Sequence, residues 1–118
     1  MKGLYTIEID GNKIDLYFKY WSLCQFSERN GNLSLGSLLE LLGDNAFTPS
    51  QYADLLLCAA EYKFVKEGKQ FPYTLFDAKE WIDEIGGIAG TAFLEIVGLL
   101  AKTINDPGAK ENKKKAGK

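Results

Sequence analysis

Residues 4–18, LYTIEIDGNKIDLYF, constrain this chain more than any other segment. Tyr5, Ile7 and Ile9 alternate with Leu4, Thr6 and Glu8, and Ile14, Leu16 and Phe18 alternate with Asp15, Tyr17 and Lys19. Two period-2 runs imply two strands with one apolar face each. Asp10-Gly11-Asn12 between them tolerates the positive φ of a tight hairpin turn. An isolated hairpin is marginal in water, so its apolar face must be covered, and the helical segments that follow are the only candidates to cover it.

Those segments are announced by caps. Ser22 with Gln25 reads as a capping box opening a short helix that carries Leu23, Cys24 and Phe26 and stops at Asn30-Gly31. Ser34 caps a second short helix with Leu35, Leu38, Leu39 and Leu42 on one stripe. Thr48-Pro49-Ser50-Gln51 combines an N-cap, proline at the first helical position and glutamine at N3, the strongest helix start in the chain. The helix it opens carries Tyr52, Leu55, Leu56, Ala59 and Tyr62 on one stripe, widened by Leu57, Cys58 and Ala60, as for a helix with neighbours on several sides. Thr74 caps a fourth helix ending at Gly86-Gly87. A fifth, Ile88 to Ile104, is apolar almost all round, with only Glu95 and Lys102 charged.

The expected architecture is α+β: an N-terminal hairpin packed on a bundle of four to five short helices. At 118 residues one domain is expected, over residues 1–105, followed by a disordered basic tail, 106–118. Composition agrees with one globular core, at 46% hydrophobic and 25% charged residues. The net charge of −2 divides unevenly: residues 1–108 hold nine Lys/Arg against fifteen Asp/Glu, net −6, and the last ten residues hold five Lys against Glu111, net +4. An acidic body disfavours nucleic acid as a partner and leaves the tail for any phosphate contact.

The chain contains no histidine, the commonest general base and metal ligand. Cys24 and Cys58 therefore have no imidazole partner, lack metal spacing, and read as reduced core thiols. No P-loop is present, and the glycines of GGIAG are not spaced as a dinucleotide fingerprint. Asp77, Glu80, Asp83 and Glu84 are the best acid–base candidates, but their spacing opposite Trp81 and Ile85 fits a solvated helix face. The aromatic group Tyr17, Phe18, Tyr20, Trp21 and Phe26 fits a hairpin–helix junction better than a base-stacking platform. No enzyme, cofactor or metal site is expected. Charged Glu8 and Asp10 precede any apolar h-region, and no run of about 18 apolar residues exists, so neither a secretory signal nor a membrane-spanning helix is expected.

A helix with no polar face is fully buried or meets a partner. The expected partner surface is Ile88, Phe93, Ile96, Val97 and Leu100.

The succession IDGNKIDLYFKYWSLCQF, SLGSLLELLGD and TPSQYADLLLCAAEY resembles the tail assembly chaperones of long-tailed bacteriophages and their gene-transfer-agent relatives, over about residues 4–87. The resemblance implies a non-enzymatic protein that binds the phage tape measure protein, keeps its apolar helices from aggregating and recruits tail tube protein. It also implies action in the host cytoplasm and absence from the mature virion. Self-association is a further role open to the fifth helix. The competing expectations are a virion structural protein, such as a head–tail connector or tail completion subunit, and a small nucleic-acid-binding regulator using the basic tail.

Overall fold

In a computed structural model that describes residues 3–44, 46–87 and 89–105, strands β1 (Leu4–Ile9) and β2 (Asn12–Tyr17) precede helices α1 (Tyr20–Arg29), α2 (Leu35–Gly43), α3 (Pro49–Lys66), α4 (Leu75–Glu84) and α5 (Thr91–Asn105). The α+β architecture is the expected one. The strands pair antiparallel from Leu4↔Tyr17 to Ile9↔Asn12, which leaves Asp10 (φ 52°) and Gly11 (φ 82°) as a two-residue loop. Two consecutive positive φ values match the right-handed twist of the strands. This register puts Tyr5, Ile7, Ile14 and Leu16 on one face, and Ile7, Ile14 and Leu16 are buried. The Phe18 N–H donates to the Gly3 carbonyl at 2.7 Å, extending the pairing by one bond.

The first helix begins at Tyr20, earlier than the capping-box reading allowed. Ser22 is not its N-cap. Ser22 is fully buried, donating its hydroxyl to the Tyr17 carbonyl. The same carbonyl accepts from the Lys19 N–H at 3.1 Å, so the serine is a second donor at the strand–helix junction and satisfies its own buried hydroxyl there. At its other end α1 closes as expected at Asn30-Gly31, where the Asn32 N–H returns to the Ser27 carbonyl at 2.8 Å.

The remaining caps follow the sequence. Ser34 Oγ accepts from the Ser37 N–H at 3.1 Å. Thr48 Oγ1 accepts from the Gln51 N–H at 3.1 Å while Gln51 Oε1 accepts from the Thr48 N–H at 2.9 Å. Thr74 and Asp77 form the same reciprocal pair. Past α4, Gly86 and Gly87 both take positive φ, and the Gly87 N–H closes onto the Ile82 carbonyl at 2.8 Å.

The body is organised around α3. All eight residues from Ala53 to Ala60 are buried, and β2, α1 and α4 each pack against this helix. Only small side chains, Ala53, Cys58, Ala59 and Ala60, let neighbours approach on several sides at once. Among the eight, Asp54 is the charged one, 6% exposed. Arg29 Nε donates to its Oδ1 at 2.7 Å and Asn30 Nδ2 to its Oδ2 at 3.0 Å, so both carboxylate oxygens are satisfied by the C-terminus of α1. The carboxylate holds the Arg29 guanidinium even further above its ordinary pKa. In the sequence Asp54 is an acid on an otherwise apolar stripe and carries no signal of its partner.

Replacing Arg29 by Met should strip Asp54 Oδ1 of both guanidinium contacts, Nε at 2.7 Å and the terminal nitrogen at 2.6 Å, and cost about 2 kcal/mol, in the range for hydrogen bonds to charged groups. Urea denaturation at pH 7 measures it.

Candidate functional site

The fifth helix does not present the expected surface. Phe93, Ile96 and Leu100 fall at i, i+3 and i+7 and are buried against the rest of the domain, while Val97 is partly buried beside them. Ile88, the remaining residue of that surface, lies outside the described residues, as does the tail at 106–118. The docking is aromatic: Phe26, Phe47, Tyr52 and Phe93 form a continuous series of ring contacts with centroids 5.6, 5.1 and 4.9 Å apart. That series ties α5 to α1 through α3. A hydrogen bond from the Tyr5 hydroxyl to Glu95 Oε1 at 2.7 Å links α5 to the hairpin and holds the Tyr5 phenol above its ordinary pKa. The outward side of α5 holds Thr91, Glu95, Gly98 and Lys102, with Leu94 the large apolar side chain exposed there. The small or polar Thr91 and Gly98 join the charged Glu95 and Lys102 to make that outer face. Phe93, Ile96 and Leu100 are thus corrected from partner surface to core.

The exposed apolar surface lies elsewhere. Of the leucine stripe on α2, Leu38 is buried, but Leu35 is 62% and Leu39 39% exposed. Across from them, Tyr20 at the start of α1 is 77% exposed. Between these helices runs an open groove of about 590 Å³. Leu23 and Leu38 are buried at its base, Cys24 and Leu33 line it, and Tyr20, Leu35 and Glu28 are its exposed lining. Its volume falls in the range of ligand clefts, roughly 300–1,000 Å³.

The groove is held open by local geometry. Ser27 Oγ donates to the Leu33 carbonyl at 2.6 Å, fixing the α1–α2 connection so that α2 stands beside α1 instead of closing onto it. Asn32 takes φ 59° in the same turn. The sequence signal for this site was present in Leu35 and Leu38 of the α2 stripe, but the stripe alone does not say which leucine is buried and which stays in water.

Chemically the groove offers apolar contact and one carboxylate, Glu28. The carboxylates on α4 are not gathered: Asp77 caps its helix, and Glu80, Asp83 and Glu84 are exposed. Among the described residues no group of three or more His, Cys, Asp or Glu converges as a metal site would require. No helix among them is long and apolar enough to cross a membrane.

The two thiols differ in kind. Cys58 is buried in α3, and burial together with the Asp54 carboxylate pushes its thiol up to about 12. Cys24 is partly exposed in the groove, not a core thiol as expected. At pH 8 the Cys58 thiolate should therefore be about one part in ten thousand, and the thiolate is the reactive form. One equivalent of a maleimide should label Cys24 and leave Cys58 unmodified in the folded chain, with peptide mapping by mass spectrometry as the readout. Comparable labelling of Cys58 would contradict this geometry.

The same burial pattern predicts opposite outcomes for two aspartates. Phe93→Asp buries a charge in the aromatic series and should cost several kcal/mol or unfold the domain. Leu35→Asp, at an exposed position, should change stability by no more than about 0.5 kcal/mol. Thermal melts of both variants check it.

Comparison of the chain with protein-family models, with curated proteins and with solved structures finds no match.

Proposed function

We propose that this is a non-catalytic assembly chaperone of the long-tailed phage type, which receives an apolar helix of the tape measure protein in the groove between α1 and α2. The observation that carries this reading is an open apolar groove in which two large exposed side chains, Tyr20 and Leu35, stand over buried Leu23 and Leu38, whereas the exposed Phe76 and Leu94 lie outside it on α4 and α5. Tyrosine and leucine at a cleft edge, over a base of leucines, suit an amphipathic helix laid into a groove. Glu28 in the lining and a net charge of −6 over residues 1–108 favour a client helix flanked by basic residues and slow self-aggregation of the exposed surface.

A holdase needs apolar surface that is already formed and that leaves the domain folded when unoccupied. The groove meets both requirements, since one wall, with Tyr20, Leu23 and Cys24, stands on α1, which is anchored to α3 through Arg29 and Asp54, and the other, on α2, is seated by buried Leu38. In this reading the protein acts in the host cytoplasm, also brings tail tube protein to the growing tail, and is left out of the mature virion.

Co-expression with the tape measure protein of the same genome tests it. The wild-type chain should render the tape measure protein soluble and co-purify with it. Leu35→Asp combined with Tyr20→Ser should abolish co-purification while the variant itself remains folded and monodisperse. Unchanged co-purification by that double variant would place the client surface elsewhere, and an insoluble tape measure protein beside soluble wild-type chain would refute the chaperone reading.

A further inference from the structure

Where β2 meets the C-terminal half of α3, three aromatic rings and three lysines converge on an otherwise acidic protein. Tyr62 stands at the centre, with Tyr17 and Trp21 at centroid distances of 5.4 and 5.7 Å. Lys19 Nζ lies 4.6 Å over the Tyr62 ring and donates to its hydroxyl at 3.0 Å; Lys66 Nζ lies 5.8 Å from the same centroid. The third, Lys63, is paired with Asp15 at 3.3 Å. This grouping brings residue 19 against residues 62–66, which no spacing along the chain reveals.

Two features set the cluster apart from an ordinary solvated face. First, neither Lys19 nor Lys66 has a carboxylate partner among the described residues, although carboxylates are in excess overall. The carboxylates of this end of α3 are engaged elsewhere, Glu61 by Gln25 Nε2 at 3.3 Å and Glu67 by Lys69 at 3.2 Å. The two ammonium groups are therefore held within about 10 Å of each other, comparable to the Debye length at 0.1 M ionic strength, so their repulsion is only partly screened. An anion between them relieves it. Second, the rings meet at interplanar angles of 49° and 60°, so neither Tyr17 nor Trp21 is stacked in parallel on Tyr62. A planar ligand can lie on a ring face beside the cations.

We propose that Lys19 and Lys66, both held over the Tyr62 ring next to Trp21, form a nucleotide-binding site in which the two ammonium groups take the phosphate and the indole takes the base. The Tyr62 hydroxyl, whose pKa the Lys19 ammonium lowers, orients that ammonium without neutralising it. The site lies apart from the α1–α2 groove and does not depend on the client reading. Its ligand is a phosphate ester carrying a base, free in solution or at one position of a single strand.

Titrating the full chain with AMP, adenosine, inorganic phosphate and a six-nucleotide oligo(dA), following tryptophan emission, tests the assignment. AMP should quench saturably and bind at least about tenfold more tightly than adenosine or inorganic phosphate, since it alone engages both halves of the site. Lys66→Gln should weaken AMP about tenfold without changing the melting temperature, and Trp21→Phe should remove the quench, leaving the buried Trp81 silent. AMP binding tighter than oligo(dA) identifies the free nucleotide as the ligand; the reverse order, still sensitive to Lys66→Gln, identifies the strand. Oligo(dA) binding with no AMP binding, or binding unaffected by Lys66→Gln, would assign the contact to other lysines and overturn the proposal. So would no saturable quench by either, or equal affinity for AMP and inorganic phosphate.

Discussion

The burial of α3 is the constraint on which the rest of the structure depends. Eight successive buried residues mean that the helix is enclosed on every side over two turns, so every other element is placed by what it brings to that enclosure. The hairpin brings Leu16 and Phe18, α1 brings Phe26, α4 brings Ala78 and Trp81, and α5 brings Phe93. Aromatic side chains of α3 then fix each contact laterally. Tyr52 meets Phe47 and Phe93, Tyr62 meets Tyr17 and Trp21, and Phe64 meets Phe71 and Tyr73, which in turn meets Trp81. Ring pairs of this kind, tilted or edge-on, contribute roughly 0.5–1.5 kcal/mol each beyond the area they bury.

Enclosing a helix completely leaves no room for an unsatisfied charge, and Asp54 shows how the fold resolves this. Its two oxygens are met by Arg29 and Asn30, the last residue and the C-cap of α1, so the charge that would oppose burial of α3 instead fixes where α1 ends. That anchoring has a consequence for the groove. With α1 pinned to α3 and its end turned through Gly31 and Asn32, α2 is set beside α1 with Leu38 alone of Leu35, Leu38 and Leu39 buried. The apolar surface left in water is a product of the same geometry that completes the core.

Much of this was legible in the sequence, and the parts that were not share a cause. The hairpin, its Asp10-Gly11 turn and the caps at Ser34, Thr48 and Thr74 are local: each is decided by residues within four positions of one another. The enclosed character of α3 followed from its apolar width. What failed was any inference about which apolar face meets which neighbour. On α5 the sequence left burial and partner contact both open and Phe93, Ile96 and Leu100 were offered as the partner surface, whereas the structure buries all three. On α2 the leucine stripe did not reveal that Leu38 is buried while Leu35 and Leu39 are exposed. Ser22 was misplaced for a related reason, since it sits at N3, accepting from the Lys19 N–H and donating to a strand carbonyl, and does not cap the helix itself. The grouping of Lys19 with Lys66 on Tyr62 is tertiary and had no sequence signature.

The account rests most heavily on the groove between α1 and α2 as the surface that takes a client helix, and Cys24 offers a reporter inside it. A photo-crosslinking maleimide attached at Cys24, in the chain bound to its tape measure protein, should on irradiation join the groove to apolar helical segments of the tape measure protein. A second probe placed by Leu94→Cys on the outward face of α5, in a Cys24→Ser background, should give little crosslinking. Efficient crosslinks from residue 94 with none from Cys24 would contradict the account and return the client surface to the fifth helix.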